Sequence, residues 1–171
     1  MKILIVVDMQ NDFVTGVLAN PAAQAIIPNI AKKIKEYQKN GDKVIFTRDT
    51  HTPDYLNTLE GKNLPIPHCI YGTYGWLVVE ELNYPECHHI NKTTFGYPHW
   101  RYEIDDATNE ITDIELVGTC TDICVISNAL LLKAAFPRIP ISVDSSCCAG
   151  LTPEKHEAAL DVMHSCQINV Y

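Results

Sequence analysis

The feature that most constrains the fold is a set of short, β-branched apolar runs separated by segments with helical periodicity. The run ILIVV at residues 3–7 has no polar position, which is typical of a strand buried on both faces of a sheet. The segment after it repeats apolar residues at helical spacing: Ile26, Ile27, Ile30, Ile34 and Tyr37. Strands that alternate with helices predict a three-layer, doubly wound α/β fold, with a mostly parallel sheet and helices on both faces.

The other predicted elements keep this rhythm except in one long segment. Further strands are predicted at 43–48, 88–91, 114–118, 141–144 and 168–171, and helices at 24–39, 122–136 and 153–165. The last helix has Thr152 as its N-cap and Pro153 at its first position. Residues 49–87 lack clear periodicity, although 75–82 could form a short helix, and a long irregular stretch inside a domain is usually functional. The length predicts a single domain over residues 1–171.

Composition argues against two classes of partner. The sequence has 13 Lys and Arg against 21 Asp and Glu, a net charge of −8, so we expect neither a nucleic acid nor an anionic membrane as partner. No apolar run approaches the roughly 20 residues of a transmembrane helix, and Asp8 interrupts the apolar start, which argues against a signal peptide. The seven cysteines are an odd number and several lie in apolar segments, which indicates reduced thiols. We therefore expect a cytoplasmic protein that acts on a small molecule. We also expect a homo-oligomer.

Residues with reactive side chains follow several of the predicted strands. In an open parallel sheet, ligands bind beyond the carboxyl ends of the strands. These positions hold Asp8, Asp49, His51, Lys92 and the stretch GTCTDICVIS at 118–127, which contains two cysteines. One edge of the sheet is therefore predicted to carry two carboxylates, an imidazole, an ammonium group and two thiols.

Cys124 is the candidate nucleophile in this set. It lies in the first turn of the predicted helix 122–136, where free N–H groups and the helix dipole favour a thiolate. Lys92 would lower the thiol pKa further, and Asp8 could accept the proton. Taken singly, the simpler interpretations are a buried core cysteine, a solvated lysine and an aspartate that caps a turn. Their convergence on one sheet edge favours nucleophilic attack on a carbonyl.

Five segments, in order along the chain, resemble one enzyme family. They are VVDMQNDF (6–13), RDTH (48–51), PHCIYGTYG (67–75), NKTTF (91–95) and TDICV (121–125). Together they are similar to the isochorismatase-like cysteine hydrolases, and to nicotinamidases in particular. DSSCCAGLTPEKHEAAL (144–160) resembles the closing strand and helix of that family, so the resemblance covers nearly the whole chain.

The resemblance implies a catalytic triad of Asp8, Lys92 and Cys124. It also implies a cis peptide bond between Thr119 and Cys120, which would turn the Cys120 N–H toward an oxyanion beside the Cys124 N–H. Family members commonly have Ala or another small residue at position 120. We therefore interpret Cys120 as a small wall of the site that contributes its backbone, with an incidental thiol.

Asp49, His51 and His68 form a candidate metal site. An Asp and two His could bind Zn²⁺ or Fe²⁺ with positions open for water and substrate, although the same residues could cap a turn or hydrogen-bond within loops. The resemblance favours the metal, because nicotinamidases hold a divalent ion on matching residues, where it orients the pyridine nitrogen of the substrate. Zinc is expected, with iron or manganese as alternatives. Glu60 could be a further ligand, direct or through water, and Gln10 could support the site from behind.

Aromatic residues near these motifs are predicted to line a slot for a flat substrate: Phe13, Phe95, Trp76 and Tyr97, with Trp100 as a further candidate. One segment departs from the family pattern. Nicotinamidases usually have an aromatic residue, often Trp, just before PHC, and here that segment reads KNLPI. The predicted reaction is hydrolysis of a small amide through a cysteine thioester, with nicotinamide as the leading substrate.

Three alternatives stay open on the sequence. The chain could hydrolyse a ureido or carbamoyl amide, or it could bind a small molecule or a partner protein without catalysis. It could also be a redox protein that uses Cys120 and Cys124, but their spacing differs from the CxxC of thioredoxin-like sites. True isochorismatases work without this cysteine, so vinyl-ether chemistry is not expected.

Overall fold

Six parallel strands form the centre of the computed structural model, which describes residues 1–105 and 110–171. The strands are β1 (Lys2–Val7), β2 (Lys43–Asp49), β3 (His88–Lys92), β4 (Asp113–Thr119), β5 (Ile141–Ala149) and β6 (Asn169–Val170). Their order in the sheet is β3-β2-β1-β4-β5-β6, and each neighbouring pair of these strands is parallel. The prediction of a doubly wound parallel sheet is confirmed.

Helices connect these strands: α1 (Asn11–Val14), α2 (Pro21–Lys39), α3 (Leu59–Asn63), α4 (Trp100–Glu103), α5 (Ile126–Ala135) and α6 (Pro153–Ser165). Short 3₁₀ turns lie at Tyr55–Asn57 and Glu80–Leu82, and a π turn lies at Thr121–Val125. Helix α2 begins before the predicted residue 24 because the Asn20 side chain accepts the Ala22 N–H at 3.0 Å and Pro21 takes the first helical position.

Two hydrophobic cores, one on each face of the sheet, confirm the three-layer arrangement. On one face, α2 buries its apolar stripe, including Ile30 and Ile34, against the strand residues Leu4, Val6 and Phe46. On the other face, α5 buries Ala129 and Leu132, and α6 buries Leu160 and Met163. These side chains pack against alternate strand positions, among them Ile3, Ile5, Val7, Leu116 and Val143. Strands covered on both sides explain why their sequences are almost uninterrupted apolar runs.

Two local predictions differ from the structure. The segment 75–82 forms only the 3₁₀ turn Glu80–Leu82, since the residues before it lie in turns and a bridge to Gln10. The predicted helix 122–136 is divided, because its start is the π turn Thr121–Val125 and α-helical bonding begins at Ile126. A π turn changes the direction of its side chains relative to a regular α-helix, and such turns are often found at functional sites.

The strand order reverses between β1 and β4, and this creates a crevice at their carboxyl ends. Gly118, paired with Val7, lets the two strands approach closely there. Its φ is +119°, and a Cβ atom at this position would lie 2.2 Å from the Val7 carbonyl oxygen. Only glycine fits this position, so Gly118 brings the residue after β1 next to the residue after β4.

All seven cysteines are free thiols. In the part of the chain that the structure describes, no helix is long and apolar enough to cross a membrane.

Candidate active site

Asp8 occupies the crevice at the carboxyl end of β1 and is fully buried. Its φ of +48° places a non-glycine residue in the left-handed region, a conformation that a folded protein usually retains for function. The backbone N–H of Asp8 donates to the Thr47 carbonyl at 3.2 Å, and the Thr47 hydroxyl donates to Asp8 Oδ1 at 2.7 Å. Strand β2 therefore fixes both the backbone and one carboxylate oxygen of Asp8.

Lys92, the last residue of β3, is the cation of the site. Only 1% of the residue is exposed, and its Nζ lies 2.6 Å from Asp8 Oδ2. The same Nζ lies 3.4 Å from Asp49 Oδ1, and it donates to the Thr94 carbonyl at 3.2 Å. One buried ammonium group thus contacts two carboxylates, one after β1 and one at the end of β2.

Cys124 completes this cluster from the π turn after β4. Its Sγ lies 3.5 Å from Lys92 Nζ. The turn is closed by the Val125 N–H, which donates to the Cys120 carbonyl at 3.0 Å. The peptide bond between Thr119 and Cys120 is cis, as the family resemblance implied. The structure therefore brings the three predicted triad residues together at the crevice.

Burial, not the neighbouring lysine, dominates the protonation of the nucleophile. Burial raises the pKa of the Cys124 thiol well above its ordinary value, Lys92 opposes this shift, and Asp8 and Asp49 add to it. Lys92 thus lowers the thiol pKa as expected from the sequence, but burial outweighs its effect. Burial also raises the pKa of Asp8, partly offset by Lys92, whereas the carboxylates and the thiol together hold the pKa of Lys92 above its usual value against burial. The resting site therefore holds a neutral thiol beside a lysine cation.

The four predicted metal ligands converge next to this cluster. The ligand atoms of Asp49, His51, Glu60 and His68 all lie within 4.8 Å of one another. His51 Nε2 lies 2.9 Å from Asp49 Oδ2 and 3.6 Å from Glu60 Oε1. His68 Nε2 lies 3.5 Å from Asp49 Oδ2 and 3.7 Å from Glu60 Oε1.

The tautomer of His68 suits this role. Its Nδ1 lies 2.8 Å from the Ile66 carbonyl, so Nδ1 carries a proton, and the neutral imidazole would offer its Nε2 lone pair to a metal ion. Two imidazoles and two carboxylates are a donor set that zinc, iron and manganese accept. The residues of the site therefore fit a divalent metal ion.

Gln10 supports the end of strand β2 through hydrogen bonds to the Asp49 backbone, behind the candidate metal ligands. Its Oε1 accepts the Asp49 N–H at 2.7 Å, and its Nε2 donates to the Asp49 carbonyl and to the Trp76 carbonyl, both at 2.9 Å. Gln10 is fully buried and these contacts satisfy both ends of its amide. It therefore fixes the backbone at Asp49 relative to the residue after β1.

A cavity of about 210 Å³ opens onto the nucleophile and the metal ligands. Its walls are Phe13, Leu18, Asn20, Asp49, Glu60, Leu64, His68, Phe95, Cys120, Ile123, Cys124 and Leu151. The ring of Phe13 lies 5.5 Å from the His68 ring, and Phe95 stands at the rim with 47% of its surface exposed. Leu64, from the segment KNLPI, forms part of the wall at the place where the sequence departs from the family pattern.

Two predicted substrate-binding residues do not line this cavity. Trp76 is held elsewhere, because its Nε1 donates to Thr50 Oγ1 at 2.9 Å and its ring lies 4.0 Å beneath the Arg48 guanidinium. Tyr97 donates its hydroxyl to Glu103 at 2.7 Å and packs edge-on against Trp100. Both rings are fixed by polar partners outside the cavity, as is the buried Trp100, so Phe13 and Phe95 are the predicted aromatic residues that reach it.

Sequence reasoning missed Asn128, which is fully buried two turns beyond the start of the π turn. Its side chain donates to the Cys124 carbonyl at 2.8 Å. The sequence did contain a signal for this residue, because an asparagine inside the apolar helix ISNALLLKAA is unfavourable unless its amide has hydrogen-bond partners.

A doubly wound parallel sheet with a buried cysteine, lysine and aspartate at its switch point is the arrangement of a cysteine hydrolase. The chain belongs to the isochorismatase family, because the isochorismatase domain matches residues 2–170.

Known proteins agree with this assignment. The chain is 29% identical to an uncharacterized isochorismatase family protein, PncA, of Bacillus subtilis (strain 168), over 93% of this chain and 92% of that protein. It is 25% identical to a nicotinamidase of Schizosaccharomyces pombe, over 98% of this chain and 91% of that protein. Among solved structures, the pyrazinamidase of Pyrococcus horikoshii in complex with zinc superimposes with a TM-score of 0.85 at 28% identity, covering 99% of this chain and 98% of that one.

Proposed function

We propose that this hydrolase cleaves a small primary amide through a thioester on Cys124, and that nicotinamide is its substrate. The observation that carries the proposal is the contact of Lys92 Nζ with Cys124 Sγ at 3.5 Å and with Asp8 Oδ2 at 2.6 Å, at the floor of a largely apolar cavity. A thiol, a proton acceptor and a cation in one buried site are what nucleophilic attack on a carbonyl needs.

In the first half of the reaction, Asp8 accepts the proton of the Cys124 thiol as the sulfur bonds to the amide carbon. The carbonyl π electrons move to oxygen and form a tetrahedral oxyanion. When the oxyanion collapses, the carbon–nitrogen bond breaks and Asp8 returns the proton to the leaving nitrogen, so ammonia departs and a thioester remains. Lys92 stays protonated and balances the negative charge that moves between the sulfur and Asp8.

In the second half, Asp8 takes a proton from a water molecule that attacks the thioester carbon. The carbon–sulfur bond then breaks, the acid leaves, and the thiol regains its proton from Asp8. The neutral thiol of the resting site suits this scheme, because proton transfer to Asp8 activates the sulfur only when substrate is present.

Backbone N–H groups of Cys120 and Cys124 would hold the oxyanion. Both residues line the cavity. The side chain of Cys120 needs no chemical role in this proposal, since burial raises the pKa of its thiol to about 11 and keeps it neutral.

Asp49, His51 and His68, with Glu60 as a further ligand, would hold a divalent ion, which we propose to be zinc with iron or manganese as alternatives. Such an ion would supply a Lewis acid that binds a ring nitrogen of the substrate and so orients the ring. Gln10 supports this set by holding the Asp49 backbone.

Three observations support nicotinamide. The cavity of about 210 Å³ suits one small ring, its walls are largely apolar with Phe13 and Phe95 at the sides, and named relatives include nicotinamidases and a pyrazinamidase. Ureido and carbamoyl acids would bring a carboxylate to a cavity whose described walls contain Asp49 and Glu60 but no arginine or lysine. Homo-oligomer formation and a cytoplasmic location stay predictions.

The test is ammonia release from a panel of amides that includes nicotinamide, pyrazinamide and N-carbamoyl amino acids, with and without chelator. Cys124→Ala should abolish release while its circular dichroism stays that of the wild type. Cys166→Ala is the matched control, because Cys166 is exposed and far along the chain from the site. Full turnover by Cys124→Ala refutes the nucleophile, and no turnover of any amide by the wild type supports a non-catalytic binding protein.

A further inference from the structure

Asn128 links two segments that both line the cavity. It lies near the start of α5 and is fully buried. Its side chain makes four hydrogen bonds, which use both donors and both acceptor sites of the amide. One contact is to the π turn and the other three are to residues 95–100, so the residue joins these two segments through hydrogen bonds.

The two donors of Asn128 reach carbonyls on both segments. Nδ2 donates to the Cys124 carbonyl at 2.8 Å and to the Phe95 carbonyl at 3.2 Å. The first carbonyl belongs to the nucleophile and the second to the aromatic residue at the cavity rim. One amide nitrogen therefore sets the distance between the π turn and the rim.

The acceptor of Asn128 fixes the same rim segment at two later points. Oδ1 accepts the Tyr97 N–H at 2.9 Å and the Trp100 Nε1–H at 3.2 Å. This segment begins directly after Lys92, whose Nζ donates to the Thr94 carbonyl at 3.2 Å. The segment thus carries both a hydrogen-bond acceptor for the catalytic lysine and a wall of the cavity.

We propose that Asn128 is a positioning residue for the reaction: it holds the Cys124 turn at a fixed distance from the segment 94–100. This proposal rests on the proposed function. The bond to the Cys124 carbonyl orients the nucleophile, and the three bonds to the rim segment orient the substrate wall. The bond to the Cys124 carbonyl should govern kcat, because misplacement of the nucleophile slows the chemical step. The three bonds to the rim segment should govern KM, because a less rigid cavity wall weakens substrate binding.

Three variants separate these two roles. Asn128→Ala removes all four hydrogen bonds. Asn128→Ser keeps a hydroxyl that can donate to the carbonyl four residues earlier, as Ser127 does to the Ile123 carbonyl at 2.6 Å, but it cannot reach the rim segment. Ser127→Ala is the matched control, since it removes a side chain to backbone bond from the neighbouring position without touching the Cys124 carbonyl or the rim.

In steady-state amide hydrolysis, Asn128→Ala should lose about 100-fold in kcat and raise KM, consistent with a small displacement of the reacting sulfur. Asn128→Ser should recover most of kcat but keep the raised KM, and Ser127→Ala should behave like the wild type. If Asn128→Ser is as slow as Asn128→Ala, or if both have the wild-type KM, the proposal is wrong. If Asn128→Ala does not fold, the raised KM of Asn128→Ser against Ser127→Ala carries the test.

A second readout needs no substrate. The rate at which iodoacetamide alkylates Cys124, followed by peptide mass spectrometry, should fall in Asn128→Ala and not in Ser127→Ala or Asn128→Ser. Hydrogen exchange of the segment 94–100 should be faster in both Asn128 variants. An inactive wild type would refute the proposed function alone. Unchanged alkylation in Asn128→Ala, together with unchanged exchange in both Asn128 variants, would refute the positioning role alone.

Discussion

Replacing Lys92 by methionine should destabilise the protein strongly and in a pH-dependent way. Lys92 is almost fully buried, with Nζ 2.6 Å from Asp8 and 3.4 Å from Asp49. At an effective dielectric constant of about 20, these distances correspond to gross attractions of about 6 and 5 kcal/mol, most of which offset the cost of desolvating the charges. Removing one partner of such a buried pair costs about 3–5 kcal/mol, because the remaining charge is left uncompensated.

Acid should restore part of that loss. Burial already raises the pKa of Asp8, and Lys92 is the largest influence that opposes the rise, so the pKa climbs further in Lys92→Met. A carboxyl group whose native pKa exceeds its unfolded value lowers stability at every pH above the unfolded value, and the cost grows until the native pKa is reached. Lowering the pH through that window lets Asp8 bind a proton in the native state only, which returns up to about 1.4 kcal/mol per pH unit.

Urea unfolding of both proteins with chelator present, at pH 7.5 and at pH 5.5, measures this effect. We expect Lys92→Met to lose about 3–5 kcal/mol at pH 7.5 and clearly less at pH 5.5, when each value is compared with the wild type at the same pH. A loss below about 1 kcal/mol, or an equal loss at both pH values, would show that Lys92 does not neutralise a buried carboxylate.

Other substitutions test separate parts of the site and fold. Phe13→Ala should raise KM for the amide about tenfold because it removes a cavity wall, whereas Trp76→Phe should change KM less than about threefold; equal effects would contradict the cavity assignment. His68→Ala should lose zinc on dialysis, measured by elemental analysis, while the wild type retains about one ion per chain; equal retention would exclude His68 as a ligand. Thr152→Ala should cost about 1 kcal/mol in urea unfolding, since Thr152 accepts the Lys155 N–H at 3.2 Å, and should leave kcat unchanged; an unaffected unfolding curve would mean the cap contributes nothing.

The sequence was sufficient to predict the sheet because its strands are buried on both faces. Uninterrupted apolar runs such as residues 3–7 identify such strands without tertiary information, and the residues after them then mark one edge. The same reasoning placed Asp8, Lys92 and Cys124 together. In the structure, Lys92 lies within contact distance of both Asp8 and Cys124.

What the sequence could not predict depends on neighbours distant along the chain. Trp76 looked like a substrate wall, but its Nε1 is held by Thr50 and its ring by Arg48, partners that periodicity does not reveal. The pKa of Cys124 follows from complete burial, which outweighs a lysine 3.5 Å away. The π turn arises from hydrogen bonds that span five residues, Val125 N–H to the Cys120 carbonyl and Ile126 N–H to the Thr121 carbonyl, within a segment whose composition is helical.

If Cys124 forms a thioester during amide hydrolysis, rapid acid quench of the wild type during nicotinamide turnover should trap it. Intact and peptide mass spectrometry should show a nicotinoyl adduct on Cys124 that hydroxylamine removes, and Cys124→Ala should show neither adduct nor ammonia. Ammonia release by Cys124→Ala at the wild-type rate, or an adduct on another residue, would show that Cys124 is not the nucleophile.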